Sequence, residues 1–244
     1  MFISVNQFER EMGVHQTIGR FFVDRQPPKE NSFWQGKLLY VGNGNGYVSI
    51  PVYYDLLRRL GVPVEFLLRE EHVRLMEQLM HYAVLQERNI ISKKEELENT
   101  RKLLTGRVLD HSLYESLNRY LDQPILKPLM PFGLEHASLN RADVFLFVLC
   151  DLPLNEIQQS QAIRYWYALH PNYLIMDDIR DYTKDLEERE ENVVIENGAG
   201  APGFEKTFGL FRKNAEILGE INPTLSRFML EYEEDLREFV PKNI

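Results

Sequence analysis

Most of the chain shows the hydrophobic spacing of amphipathic α-helices, not the strict alternation of β-strands. Within residues 70–80, for example, Leu75 and Met76 are followed one helical turn later by Leu79 and Met80, so that all four share one side of a helix. Such a side packs into a core, while the charged residues between these positions face water. The pattern predicts an all-α fold.

Local start and stop signals divide this helical pattern into elements. Ser92 and Glu95 have the spacing of a capping box, and Pro51 and Pro63 stand where the first turn of a helix accepts proline. Three prolines within 124–133 interrupt the pattern and indicate a connection. These signals predict a flexible loop at 197–203 and helices near residues 51–60, 63–90, 92–104, 111–122, 138–150, 154–170, 172–191, 205–219 and 223–240.

The first fifty residues differ from the rest of the chain. Two short apolar segments, 37–41 and 47–50, flank a glycine-asparagine run at 42–46, which is typical of a tight turn between strands. We therefore expect a short irregular or hairpin-containing N-terminal segment at 1–50. Since about 250 residues commonly form one domain, we expect residues 51–244 to add a helical bundle to it within a single domain, 1–244.

Charge and hydropathy narrow the classes of partner. The formal net charge of -9 opposes binding to nucleic acid phosphates or to an anionic membrane surface. No apolar run approaches the roughly 18 residues that suggest a membrane span. The single cysteine, Cys150, lies in an apolar stretch where a buried, inert thiol is expected. We expect a cytoplasmic protein without nucleic acid or a membrane span, and the sequence leaves a homodimer open.

The most concentrated chemical signal is a ladder of aspartates. On a helix, Asp177, Asp181 and Asp185 recur at i, i+4 and i+8 and therefore stack one turn apart, with Asp178 beside the first of them. Same-sign neighbours at this spacing destabilise a helix by a few tenths of a kcal/mol each, unless a cation lies over them. Mg²⁺ prefers oxygen ligands and is commonly held by one or two carboxylates together with substrate phosphates. The ladder therefore predicts a Mg²⁺ site.

The same residues resemble a known motif. The stretch 177–194 is similar to the second metal-binding motif of class I terpenoid synthases, the family of terpene cyclases and prenyl diphosphate synthases. The cyclase motif reads Asn-Asp-x-x-Ser-x-x-Lys-Glu, and its positions are taken here by Asp177, Asp178, Asp181, Lys184 and Asp185. The stretch also reads as the Asp-Asp-x-x-Asp of prenyl synthases. The resemblance implies a helical bundle of the terpenoid synthase type.

The resemblance also implies a function. The four aspartates would bind Mg²⁺, which would grip the diphosphate of an isoprenoid substrate, while Arg180, Lys184 and Asn192 would contact that substrate. If the chain is an enzyme, the expected reaction is ionisation of the diphosphate to an allylic carbocation, as in a Mg²⁺-dependent terpene cyclase or prenyltransferase.

A different class of function fits the same residues. The segment 177–191 holds eight acids and three bases, a composition common in solvated helix faces with internal ion pairs. No Asp-Asp-x-x-Asp precedes this segment to supply the other half of a metal site. The alternative is a non-catalytic helical binding or scaffold protein. The two hypotheses differ in whether the stacked aspartates face a cavity or open solvent.

Overall fold

The computed structural model describes residues 3–26, 28, 31, 40 and 47–240 of the chain. These residues are organised in helices; they contain no β-strand, and their one isolated bridge joins Leu129 to Phe132. None of the helices in these ranges is long and apolar enough to cross a membrane. The elements are α1 (Val5–Met12), α2 (Gln16–Asp24), α3 (Ser49–Arg59), α4 (Val64–Leu67), α5 (Glu70–Glu87), α6 (Lys93–Leu104), α7 (His111–Leu121), two 3-10 helices (Ala137–Asn140 and Asp143–Asp151), α8 (Glu156–Glu188), α9 (Val193–Glu196), α10 (Gly200–Gly219) and α11 (Pro223–Arg237).

The N-terminal segment is helical where it is described. Ser4 and Gln7 form a capping box that starts α1, and Gly13 ends the helix in the left-handed conformation. Most of the predicted hairpin lies outside the described residues. Its second apolar segment, 47–50, overlaps α3, which begins at Ser49. The prediction of an irregular or hairpin-containing segment is therefore wrong for α1, α2 and the start of α3. Both helices are only eight or nine residues long, too short for hydrophobic spacing alone to distinguish them from irregular segments.

Several predicted helices are confirmed within one or two residues. The capping box of Ser92 and Glu95 starts α6 as expected, and α7 begins at its predicted position. The helix α11 also begins where predicted but ends at Arg237, three residues early. The prediction of a flexible loop at 197–203 is wrong for its second half, because α10 begins at Gly200. The predicted helix 63–90 is divided, because Leu68 and Arg69 leave helical geometry between α4 and α5. The stretch predicted as a helix at 138–150 instead forms the two 3-10 helices.

Two predicted helices, 154–170 and 172–191, form the single helix α8 of 33 residues. Pro171 lies inside it, although proline lacks the N–H that would bond to the carbonyl of Tyr167. Pro171 is buried, as are Trp166 and Leu169 before it and Ile175 after it. Packing on both sides of the proline thus keeps the helix continuous where the local rule predicts a break. The continuity matters for the site, because it fixes the aspartates to the central core helix.

A buried carboxylate joins the second 3-10 helix to α7 and α8. Asp143 is 1% exposed and accepts hydrogen bonds from the Tyr120 hydroxyl (2.7 Å), the Tyr167 hydroxyl (2.9 Å) and the Trp166 indole N–H (3.2 Å). Among the described residues no basic group lies within 4 Å of it. Burial raises the pKa of Asp143 to about 6, although the three hydrogen bonds act to lower it.

Close packing between α9 and α10 makes a testable prediction at Gly203. A Cβ atom there would lie 2.4 Å from the backbone oxygen of Val194, whereas one at Gly209 of the same helix would meet nothing within 4 Å. We expect Gly203→Ala to lower the free energy of unfolding by about 1–3 kcal/mol through overpacking. Gly209→Ala should instead raise it by about 0.5–1 kcal/mol through helix propensity. Denaturant unfolding measures both, and shifts of the same sign would contradict this packing.

Candidate functional site

The four aspartates lie on the C-terminal half of α8, so the predicted one-turn spacing is realised. Their environments differ. Asp177 and Asp181 are exposed, Asp185 is half-buried, and Asp178 is 1% exposed. The ladder therefore divides into two accessible carboxylates on consecutive turns and two that face other parts of the protein.

Asp178 connects α8 to two neighbouring segments. Its Oδ1 accepts a hydrogen bond from Arg141 Nη2 at 2.6 Å, and its Oδ2 accepts one from the Val193 backbone N–H at 2.7 Å. Burial raises the pKa of Asp178 to about 6, against the lowering effect of Arg141 and of the Val193 N–H. At neutral pH the carboxylate is thus ionised and both oxygens have partners. In the fold, the Asp178 carboxylate connects α8 to the start of α9 and fixes the position of the Arg141 side chain.

Asn192 lies beside the ladder, but its polar groups are used within the protein. Its Oδ1 accepts a hydrogen bond from the Val194 N–H and caps α9. Its Nδ2 donates to the Asp178 carbonyl at 2.6 Å and to Asp185 Oδ2 at 2.9 Å. The asparagine thereby ties the half-buried aspartate to the loop that follows α8.

The accessible pair carries uncompensated charge. Neither Asp177 nor Asp181 has an ion-pair partner within 4 Å in the described part of the chain. Partial desolvation of the Asp177 carboxyl is the largest cause that raises its pKa, and the charges of Asp181 and Asp185 raise it further. The like-charge repulsion that the spacing predicts is therefore present in the fold.

Arg141 was not singled out by sequence reasoning, yet it is the cation closest to this group. It lies on the turn between the two 3-10 helices, and its Nε donates to the Ser138 carbonyl at 2.8 Å. Burial lowers the pKa of Arg141, but Asp178 and, more weakly, Glu87 and Asp177 raise it above its usual value. The end of α5 thus brings one further acid near the ladder. No short-range pattern links residues 87 and 141 to 178, so only the tertiary fold reveals them.

The two basic residues predicted to bind substrate already have partners. The Arg180 guanidinium donates to the Tyr232 hydroxyl and lies 5.5 Å from the ring centroids of both Tyr232 and Phe239. Lys184 is exposed and lies 3.7 Å from Glu188 on the next turn. An anion at the ladder would have to compete with these contacts to engage either side chain.

The donor atoms fit a hard cation. Asp177 and Asp181 offer carboxylate oxygens to solvent, and Mg²⁺ typically takes one or two carboxylates, several waters and substrate phosphates. Within residues 3–26, 28, 31, 40 and 47–240, no three or more His, Cys, Asp or Glu side chains converge into a ready metal cage. The ladder thus presents two accessible carboxylates and not a complete set of metal ligands.

Comparison with protein-family models, curated proteins and solved structures finds no significant match to this chain.

Proposed function

We propose that this chain is a class I terpenoid-synthase-like protein, with the helical bundle of that family, which binds Mg²⁺ and an isoprenoid diphosphate at the acidic side of α8. One observation carries the proposal: Asp177 and Asp181 stand one turn apart, exposed and without an ion pair in the described structure, and the pKa of Asp177 is raised in part by its acidic neighbours. A divalent cation would relieve that repulsion.

The residues around the ladder suggest a division of roles. Asp177 and Asp181 would hold the cation, with Asp185 next to them and Asp178 holding Arg141 in place. When bound, Mg²⁺ supplies positive charge that stabilises a departing diphosphate. Arg141 is 26% exposed and would donate hydrogen bonds to the same leaving group, since guanidinium groups bind phosphate oxygens strongly. Such a site suits a cyclase or a prenyltransferase.

Lys184 and Asn192, which were also predicted to contact the substrate, have supporting roles in this proposal. Among the described residues, Lys184 has one exposed ion pair, with Glu188, and such a pair is worth little, so Lys184 could turn towards a diphosphate. Asn192 would act through Asp185, whose carboxylate it orients.

A second candidate function is favoured by the exposure of Asp177 and Asp181. Under the alternative, α8 presents a solvated acidic surface for a basic partner, and the chain is a non-catalytic helical binding or scaffold protein. The first proposal predicts that Mg²⁺ and diphosphate stabilise the protein, whereas the alternative predicts no response to them.

The first test is thermal unfolding with and without millimolar Mg²⁺ and inorganic diphosphate. We expect both together to raise the melting temperature, because a ligand at about 100 times its Kd stabilises the native state by about 2.7 kcal/mol. Asp181→Asn should leave the apo protein equally or more stable and should reduce the ligand-induced shift. Glu187→Gln, an exposed acid on the same helix, removes the same charge away from the ladder and should retain the full shift.

A melting curve of the wild-type protein that does not respond to these ligands would rule out the metal site and favour the scaffold alternative. If the ligands bind, incubation with prenyl diphosphates of several chain lengths, followed by product analysis, separates an enzyme from a binding protein. Diphosphate release that persists in Asp181→Ala would contradict the assignment of the ladder.

A further inference from the structure

Arg180 is held by the C-terminal helix, although it lies on the acidic helix. Its guanidinium donates to the Tyr232 hydroxyl and lies 5.5 Å from the centroids of the Tyr232 and Phe239 rings. Tyr232 belongs to α11, and Phe239 follows two residues after that helix ends. The two rings thus form an aromatic clamp, Tyr232 and Phe239, around one side chain of α8.

The helix alone would give Arg180 a different partner. Asp177 precedes it by three residues, and an acid three positions before a base on a helix is a favourable ion pair. The pair is not formed: in the described structure no basic side chain lies within 4 Å of the Asp177 carboxylate. Arg180 is nevertheless close enough for its charge to lower the pKa of Asp177 slightly.

The competing contacts explain why the ion pair is absent. A guanidinium over an aromatic face is worth at least as much as an exposed ion pair one turn apart, and here two rings and a hydroxyl act together. The clamp therefore outweighs the local electrostatic attraction. The consequence is a carboxylate, Asp177, left unpaired beside Asp181.

We infer that Tyr232 and Phe239 act as positioning residues. Their contacts hold the Arg180 side chain away from Asp177, and the Asp177 carboxylate is thereby left free to bind a divalent cation. This inference rests on the proposed function, since it concerns the same site. Through this contact, α11 influences the affinity of the aspartate ladder for the metal, although α11 contributes no metal ligand.

The test measures binding of Mn²⁺ as a spectroscopic substitute for Mg²⁺, by electron paramagnetic resonance of the free ion. Phe239→Leu, alone and with Tyr232→Leu, is compared in the wild-type and Arg180→Gln backgrounds. We expect the clamp variants to weaken Mn²⁺ binding by about two- to fivefold in the wild-type background, the range of one exposed ion pair. In the Arg180→Gln background, the same changes should have no effect, because no guanidinium remains to reach Asp177.

Two controls separate the clamp from general damage to α11. Phe239→Tyr keeps an aromatic face and should retain wild-type affinity. Leu230→Ala removes a partly exposed apolar side chain of α11 that is not one of the clamp residues, and it should also leave affinity unchanged. If the double variant unfolds, Phe239→Leu alone serves as the test, because Phe239 is 51% exposed and lies outside the core.

The outcomes distinguish the two proposals. Wild-type protein that binds no Mn²⁺ at millimolar concentration would overturn both the metal site and the clamp. Wild-type protein that binds Mn²⁺, with clamp variants of equal affinity, would overturn the clamp alone and leave the metal site in place. A loss of affinity that persists in the Arg180→Gln background would likewise overturn the clamp, since it would not act through Arg180.

Discussion

Replacing Asp143 with leucine is expected to lower the free energy of unfolding by about 3–5 kcal/mol. The carboxylate is buried and accepts from two tyrosine hydroxyls and one indole N–H. Leucine would leave these three donors in the core without their acceptor, and each unsatisfied buried donor costs about 1–3 kcal/mol. Urea unfolding at pH 7 measures the loss.

The control for this prediction is Asp110→Ala. Asp110 caps α7 through the Leu113 N–H and also accepts a hydrogen bond from Gln159 Nε2, and loss of the cap and this contact costs about 1–2 kcal/mol. Equal losses in the two variants would mean that the buried network contributes no more than an ordinary cap.

The pH dependence of the Asp143 variant follows from its raised pKa. Because the folded state holds the proton more tightly than the unfolded chain, the contribution of Asp143 to stability falls as the pH rises from about 4 to about 6, and is constant above that. The leucine variant lacks this dependence. The destabilisation that it causes should therefore be larger at pH 5 than at pH 7, and a smaller value at pH 5 would contradict a buried, strained carboxylate.

Local signals in the sequence predicted the parts of the fold that local physics decides. The capping box at Ser92 and the proline start at Pro223 satisfy backbone groups within one turn, so they can be read without the rest of the chain. Where tertiary packing decides, the same rules fail. Pro171 should end a helix, yet burial on both sides keeps α8 continuous, and the apolar stretch 144–150 is buried throughout and adopts 3-10 geometry.

The candidate site shows the same division. The stacking of Asp177, Asp181 and Asp185 follows from helical spacing alone, and the structure places them on one continuous helix. The partners of the site come from distant segments: Arg141 from the turn before the second 3-10 helix, and Tyr232 from α11. Charge attraction along the helix favours an ion pair between Asp177 and Arg180. The pair does not form, because Arg180 instead contacts Tyr232 and Phe239, which no local sequence pattern reveals.

Adjacent aspartates of the ladder are expected to respond to alanine in opposite ways. Asp178→Ala should lower the free energy of unfolding by about 2–4 kcal/mol, because it removes the acceptor for the Val193 N–H and the carboxylate paired with Arg141. Asp177→Ala should leave stability unchanged or raise it, since the exposed carboxylate has no ion pair in the described structure and is repelled by Asp181.

Chemical denaturation of both variants in metal-free buffer at pH 7 provides the comparison, and the ligand-induced melting shift provides a second readout. Under the proposed function both variants lose the Mg²⁺ and diphosphate shift, but for different reasons: Asp177→Ala removes a ligand from an intact fold, whereas Asp178→Ala releases Arg141 and α9. Asp178→Asn keeps an oxygen for the Val193 N–H and should recover part of the stability. If Asp177→Ala were the more destabilising of the two, Asp177 would have a structural partner that this fold does not give it, and the separation of the ladder into accessible and anchoring carboxylates would be wrong.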